Sequence, residues 1–157
     1  MGMDSGYFVK ETFWPAKTYI AERGIVSSEK IGDFVEEKCS GIYNAFKALG
    51  ILLNSPPCAF FYNTKIESKQ TEIAVGILCN NLETYPEKFE KIELQGKVLT
   101  TSVTGYFSDI TSAYKVLDAY LKRNNLSTQL VIEEYCSDCI AEMNPYKWET
   151  KLHFIIS

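Results

Sequence analysis

The chain has 157 residues, 46% of them hydrophobic, enough for one domain with a buried core or two small units sharing one. A net charge of −4 without any basic run argues against direct nucleic-acid binding, which needs clustered Lys and Arg to neutralise phosphates. No apolar run approaches the roughly 20 residues that span a bilayer, and the N-terminus has neither a signal-peptide core nor, with Gly6 where Ser or Thr is needed, a myristoylation site, so a complete cytoplasmic protein is expected.

In chain order, Tyr7-Phe8-Val9 reads as a short edge strand that breaks at Pro15, and residues 16–26 as a strand. Ser27 or Ser28 can cap a helix, with Glu29 favourable in its first turn. Ile31, Phe34, Val35, Cys39, Ile42, Phe46 and Leu49 recur at three- and four-residue steps, an amphipathic stripe that stops at Gly50. Residues 58–63 and 71–79 read as a strand pair. Residues 80–94 are polar, contain Pro86 and read as a linker. The order then repeats. Residues 97–104 form a strand, and Ser108 or Asp109 caps a second helix. Ile110, Ala113, Tyr114, Leu117 and Leu121 line that helix before a left-handed stop at Asn124-Asn125. A second strand pair follows at 128–135 and 148–156.

These elements predict an α+β fold made of two strand-helix-strand-strand units, about 16–79 and 97–156, within one domain over 1–157. The units are expected to join into an antiparallel sheet related by a pseudo-twofold, with two long helices on one face and a ligand cleft on the other.

Successive residues of a strand face opposite ways, so Leu130, Ile132 and Glu134 share one side of residues 130–135, and Val131, Glu133 and Tyr135 share the other. A carboxylate beside a ring, away from the aliphatic face, suits a face that meets water or a ligand cleft. On residues 71–79, Ala74 and Gly76 are small and leave room beside Glu72, unless Gly76 marks a bulge. Ten Tyr and nine Phe fit an amphipathic wall that offers ring faces and hydroxyls. The five cysteines, Cys39, Cys58, Cys79, Cys136 and Cys139, are an odd number. With His153 the only histidine, they are expected to be reduced, to hold no metal and to need no cofactor, despite the C-x-x-C at 136–139. The lone His also disfavours a Ser-His-Asp or Cys-His set, and haem binding would rest on His153 alone.

Four stretches resemble the GyrI-like small-molecule-binding domain, also called the bacterial transcription-activator effector-binding domain. They are Phe60-Phe61-Tyr62, Glu72-Ile73-Ala74-Val75-Gly76-Ile77, the run from Gly105 to Tyr114, and Glu133-Glu134-Tyr135-Cys136-Ser137-Asp138 followed by Trp148-Glu149-Thr150. Tyr106 stands where the family often has Pro, Phe107 where it has Tyr, Cys139 where Pro follows the Asp, and Lys151 where a second Glu is frequent. The resemblance implies an aromatic cleft with an acidic residue at its bottom, here Glu133. Tyr135, Tyr62, Phe107, Tyr106, Glu72, Gly76, Trp148 and Lys151 would line it. It also implies binding of a small hydrophobic or aromatic ligand, cations included, of the kind multidrug-sensing relatives take. Two alternatives follow from other relatives. One is a hydrolase with Glu133 as general base and Tyr62 orienting a strained or electrophilic aromatic natural product. The other is a regulatory or inhibitory partner of another protein.

Overall fold

The computed structural model describes residues 8–62, 69–80, 82–105, 110–136 and 149–156. They form β1 (Lys10–Ser27), α1 (Ile31–Ala48), β2 (Pro57–Tyr62), β3 (Gln70–Leu78), β4 (Glu90–Thr104), α2 (Ile110–Arg123), β5 (Thr128–Tyr135) and β6 (Glu149–Ile156). A 3-10 turn, Ser28–Lys30, leads into α1. Strand, helix, strand, strand thus occurs twice. All strand pairs are antiparallel, and the sheet closes on itself in the order β1-β3-β2-β5-β6-β4.

Closure corrects the expectation of a cleft on the face opposite the helices. That face is the inside of a barrel, and aliphatic and aromatic side chains occupy much of it. Tyr19, Ala21, Cys58, Phe60, Ala74, Ile92, Leu130 and Ile132 pack there without a helix residue among them. The alternate residues of the same strands point outward under the helices. Ile20 and Ile77 meet Ile42 and Phe46 of α1. Leu99, Val103, Leu152 and Phe154 meet Ile110, Ala113, Leu117 and Leu121 of α2. Both sides of most strands are therefore buried, which is why the apolar residues do not simply alternate with polar ones.

Both helices end in the same way, with a left-handed residue after the cap. After α1, Gly50 has φ 75°, Gly50 N–H donates to Lys47 O at 3.0 Å and Ile51 N–H donates to Phe46 O at 2.9 Å. After α2, Asn125 has φ 52° and Leu126 N–H donates to Leu121 O at 2.9 Å. These crossed bonds satisfy carbonyls that the last turn leaves open, and Ile51 and Leu126 each return to the core beneath their helix. Ser27 precedes the 3-10 turn with cap-like backbone angles but makes no side-chain capping bond, and Lys30 stands at the N-cap of α1.

Two boundaries differ from expectation. Pro15 does not end a strand: β1 runs through it, and its ladder with β4 slips between Trp14 and Lys17. Proline lacks an N–H to pair, and a local irregularity absorbs that loss. β4 starts at Glu90, inside the expected linker, where Ile92 and Leu94 turn into the barrel while Lys91 and Glu93 stay exposed. Ser108, Asp109 and Cys139 lie outside the described residues.

Candidate functional site

α1 covers β1 and β3, and α2 covers β4 and β6. The outer side of the β2–β5 pair lies between these two helix footprints. Its residues are Ala59 opposite Glu133 and Phe61 opposite Val131. Glu133 is half-buried here. Its Oε2 accepts a hydrogen bond from the Tyr114 hydroxyl of α2, and its Oε1 accepts one from the Tyr135 hydroxyl, each at 2.7 Å. No Lys, Arg or His among the described residues pairs with it. Burial first, and Glu133 second, push the hydroxyls of Tyr114 and Tyr135 far above the usual tyrosine range, so both remain donors. The Tyr114 ring packs on the buried core under α2 through a tilted pair with Phe154, centroids 5.7 Å apart.

The alternation of β5 follows expectation, with Glu133 and Tyr135 on one side and Leu130, Ile132 and Glu134 on the other. The side that holds Glu133, however, is the helix-bearing one. The expected site residues accordingly divide. Glu133 and Tyr135 come together outside the barrel. Tyr62, Glu72, Gly76 and Lys151 belong to its inner side. There Tyr62 and Glu72 join a clasp around Arg23, whose guanidinium donates to Glu72 at 3.0 Å, to Glu90 at 2.7 Å and to the Tyr62 hydroxyl at 3.1 Å. The guanidinium also lies 4.1 Å from the centre of the Tyr62 ring. Gly76 leaves no vacancy, because β1 comes so close that a methyl group at Gly76 would sit 2.6 Å from Ala21 Cβ. Lys151 pairs across the ladder with Glu134. Tyr106, Phe107 and Trp148 lie outside the described residues.

Two features of importance escaped the sequence. Tyr114 appeared as a member of a helical stripe and at the end of one family-like run, and nothing local shows that its hydroxyl reaches a strand 19 residues later. His153 was discounted as solitary. It is buried on the inner side, with Nε2 2.8 Å from Glu134 Oε1 and Nδ1 2.8 Å from Thr100 Oγ1. His153, followed by Lys151 and Lys17, holds the Glu134 carboxyl below its ordinary value against the opposing effect of burial. Cys39, Cys58, Cys79 and Cys136 are free thiols. No helix among the described residues is long and apolar enough to cross a membrane.

No family model and no curated protein sequence matches the chain. Solved structures do. The EcmrR C-terminal domain superposes with a TM-score of 0.76 at 16% identity, over 96% of this chain and 98% of that one. EcmrR in its DNA complex gives 0.79 at 17% identity, over 96% of this chain but only 57% of the longer one. SAV2435 bound to tetraphenylphosphonium gives 0.69 at 10% identity, over 96% and 94%. A hydrolase from Listeria innocua gives 0.66 at 13% identity, over 95% and 91%. At these identities the likeness speaks for the fold, and the fold of this chain is that of the GyrI-like small-molecule-binding domain its sequence resembles.

Proposed function

We propose that the protein binds a small, largely aromatic organic cation between α1 and α2, with Glu133 at the floor of the site. The observation that carries this reading is the state of Glu133. Its two oxygens are held by neutral hydroxyls from Tyr114 and Tyr135, and no described cation pairs with it. Two hydroxyl donors orient the carboxylate without supplying an opposite charge. A lipophilic cation supplies the missing charge, and Tyr114, Tyr135 and Phe61 offer ring surface around it. Tetraphenylphosphonium, the ligand of a structural neighbour, has this chemistry. Both Glu133 oxygens already serve tyrosines, which favours charge recognition over general-base work.

The test is titration of the protein with tetraphenylphosphonium by calorimetry, alongside Glu133→Gln and Glu134→Gln. Losing one partner of a shielded charge pair costs about 2–5 kcal/mol, so Glu133→Gln should weaken binding at least about 30-fold. Its amide can still accept from one tyrosine and donate to the other, and the fold should persist. Glu134→Gln changes the other side of the strand and should leave affinity nearly unchanged. Equal small effects from both substitutions, or loss of binding only in Glu134→Gln, would refute the assignment.

A further inference from the structure

On the inner side of the barrel, Thr100 of β4 lies directly opposite His153 of β6, and Glu134 of β5, opposite Lys151, reaches the same imidazole diagonally, so that the three side chains form a row across neighbouring strands. A carboxylate only accepts hydrogen bonds, so the ring proton of neutral His153 lies on Nε2, facing Glu134. Nδ1 is then the acceptor for the Thr100 hydroxyl, 2.8 Å away. The order is hydroxyl, base, orienting acid. Both separations fall within the roughly 2.6–3.2 Å that joins a nucleophile to its base and the base to its orienting group. A buried histidine with two partners is by itself ordinary. Three further observations go beyond a satisfied core residue. His153 is only 6% exposed, whereas Thr100 retains solvent access. Trp14 meets the imidazole edge to face, with centroids 4.9 Å apart. Lys17 Nζ stands 3.7 Å from the centre of the Trp14 ring. An aromatic shelf carrying an ammonium suits an aryloxy group that becomes negative as it leaves.

We infer that this row is a hydrolytic centre for small aryl esters, separate from the site under the helices, with Thr100 as nucleophile, His153 as general base and Glu134 as positioning residue. Thr100 Oγ1 attacks the ester carbonyl carbon while its proton passes to His153 Nδ1. The C–O bond to the aryl group breaks, the aryl oxygen leaves with the electron pair beside Lys17, and His153 returns the proton to it. Water then attacks the acyl-threonine, losing its proton to Nδ1. Carboxylate is released and the Thr100 hydroxyl is restored.

The experiment treats the full chain with p-nitrophenyl acetate, follows p-nitrophenolate, and maps acetyl groups by peptide mass spectrometry. The expected result is turnover with an acetyl group on Thr100. Thr100→Val should abolish both, and Thr100→Ser should retain them. Glu134→Gln should lower kcat by about 10²-fold or more with KM little changed, an outcome that loss of packing alone would not give. Should Thr100→Val fail to fold, Thr100→Ser must still acquire the acetyl group at position 100. The inference is overturned by absence of turnover above buffer, by acetylation confined to other residues, or by unchanged turnover in Thr100→Val.

Discussion

Replacing Gly76 with Ala tests how tightly the barrel is closed. Gly76 of β3 faces Ala21 of β1 on one edge and Cys58 of β2 on the other. A Cβ at Gly76 would lie 2.6 Å from Ala21 Cβ, 2.6 Å from the Ile20 carbonyl oxygen and 3.0 Å from Ala21 Cα. Comfortable carbon contacts are about 3.5–4.0 Å, so the overlap with Ala21 Cβ is close to 1 Å. Two of these three atoms are backbone and cannot rotate away. Ala21 is also held on its second edge by Glu90 of β4, so β1 cannot back off without disturbing that ladder. Overpacking of this kind costs about 1–3 kcal/mol, which lowers the melting temperature of a chain this long by roughly 2–10 °C. Gly41 provides the opposite sign. It lies inside α1, and nothing is within 4 Å of its ideal Cβ, so Gly41→Ala should add about 0.5–1 kcal/mol. Urea unfolding of the two variants and the parent measures both changes. A Gly76→Ala protein as stable as the parent would refute the close approach of β1 and β3. It would restore Gly76 as a residue that leaves room for a ligand.

Glu134 should give the protein an acid-sensitive component of stability. Its folded carboxyl is held below 4.5, first by His153, so the contribution is complete above the unfolded value and fades as pH falls through the folded one. In Glu134→Gln, the plot of unfolding free energy against pH should lose that part of its slope below pH 4.5, as read by urea titrations across the acid range. Asn125 occupies a left-handed position after α2, so Asn125→Ala should lower stability by about 1 kcal/mol while Asn125→Gly should not, again by urea unfolding.

Element order was legible because each signal for it is local. The α2 stripe, the αL stops at Gly50 and Asn125, and the bounds of β5 all follow from spacing within a few residues. Closure of the sheet was not legible. Alternation along β5 says that Glu133 and Glu134 face opposite ways, but it does not say what covers each side. Leu130 and Ile132 would look the same under a helix as inside a barrel. The first half of β4 was lost for a related reason. Only one of its sides is buried, and Glu90, Lys91 and Glu93 outweighed Ile92 and Leu94 in a reading by composition. Glu133 was found because a charge beside Tyr135 breaks the apolar pattern. His153 was passed over because its partners, at positions 100 and 134, come from two other strands.

Tyr19, Ile20 and Ala21 of β1 pair with β3 on one edge and with β4 on the other. These three residues hold the barrel shut, and this bears on how the chain reaches its native state. Only β2–β3 and β5–β6 join strands that follow one another directly, whereas β1 must find Leu78 and then Thr100, far along the chain. Long loops must close before such contacts return any free energy, so barrel formation is expected on the slow side, in milliseconds to seconds. Until then β1 presents unpaired edges together with side chains such as Phe13 and Ile25, which stay exposed even in the folded protein. That interval is when neighbouring chains can compete for the strand. The residues that complete the architecture therefore also set the concentration above which folding gives way to association.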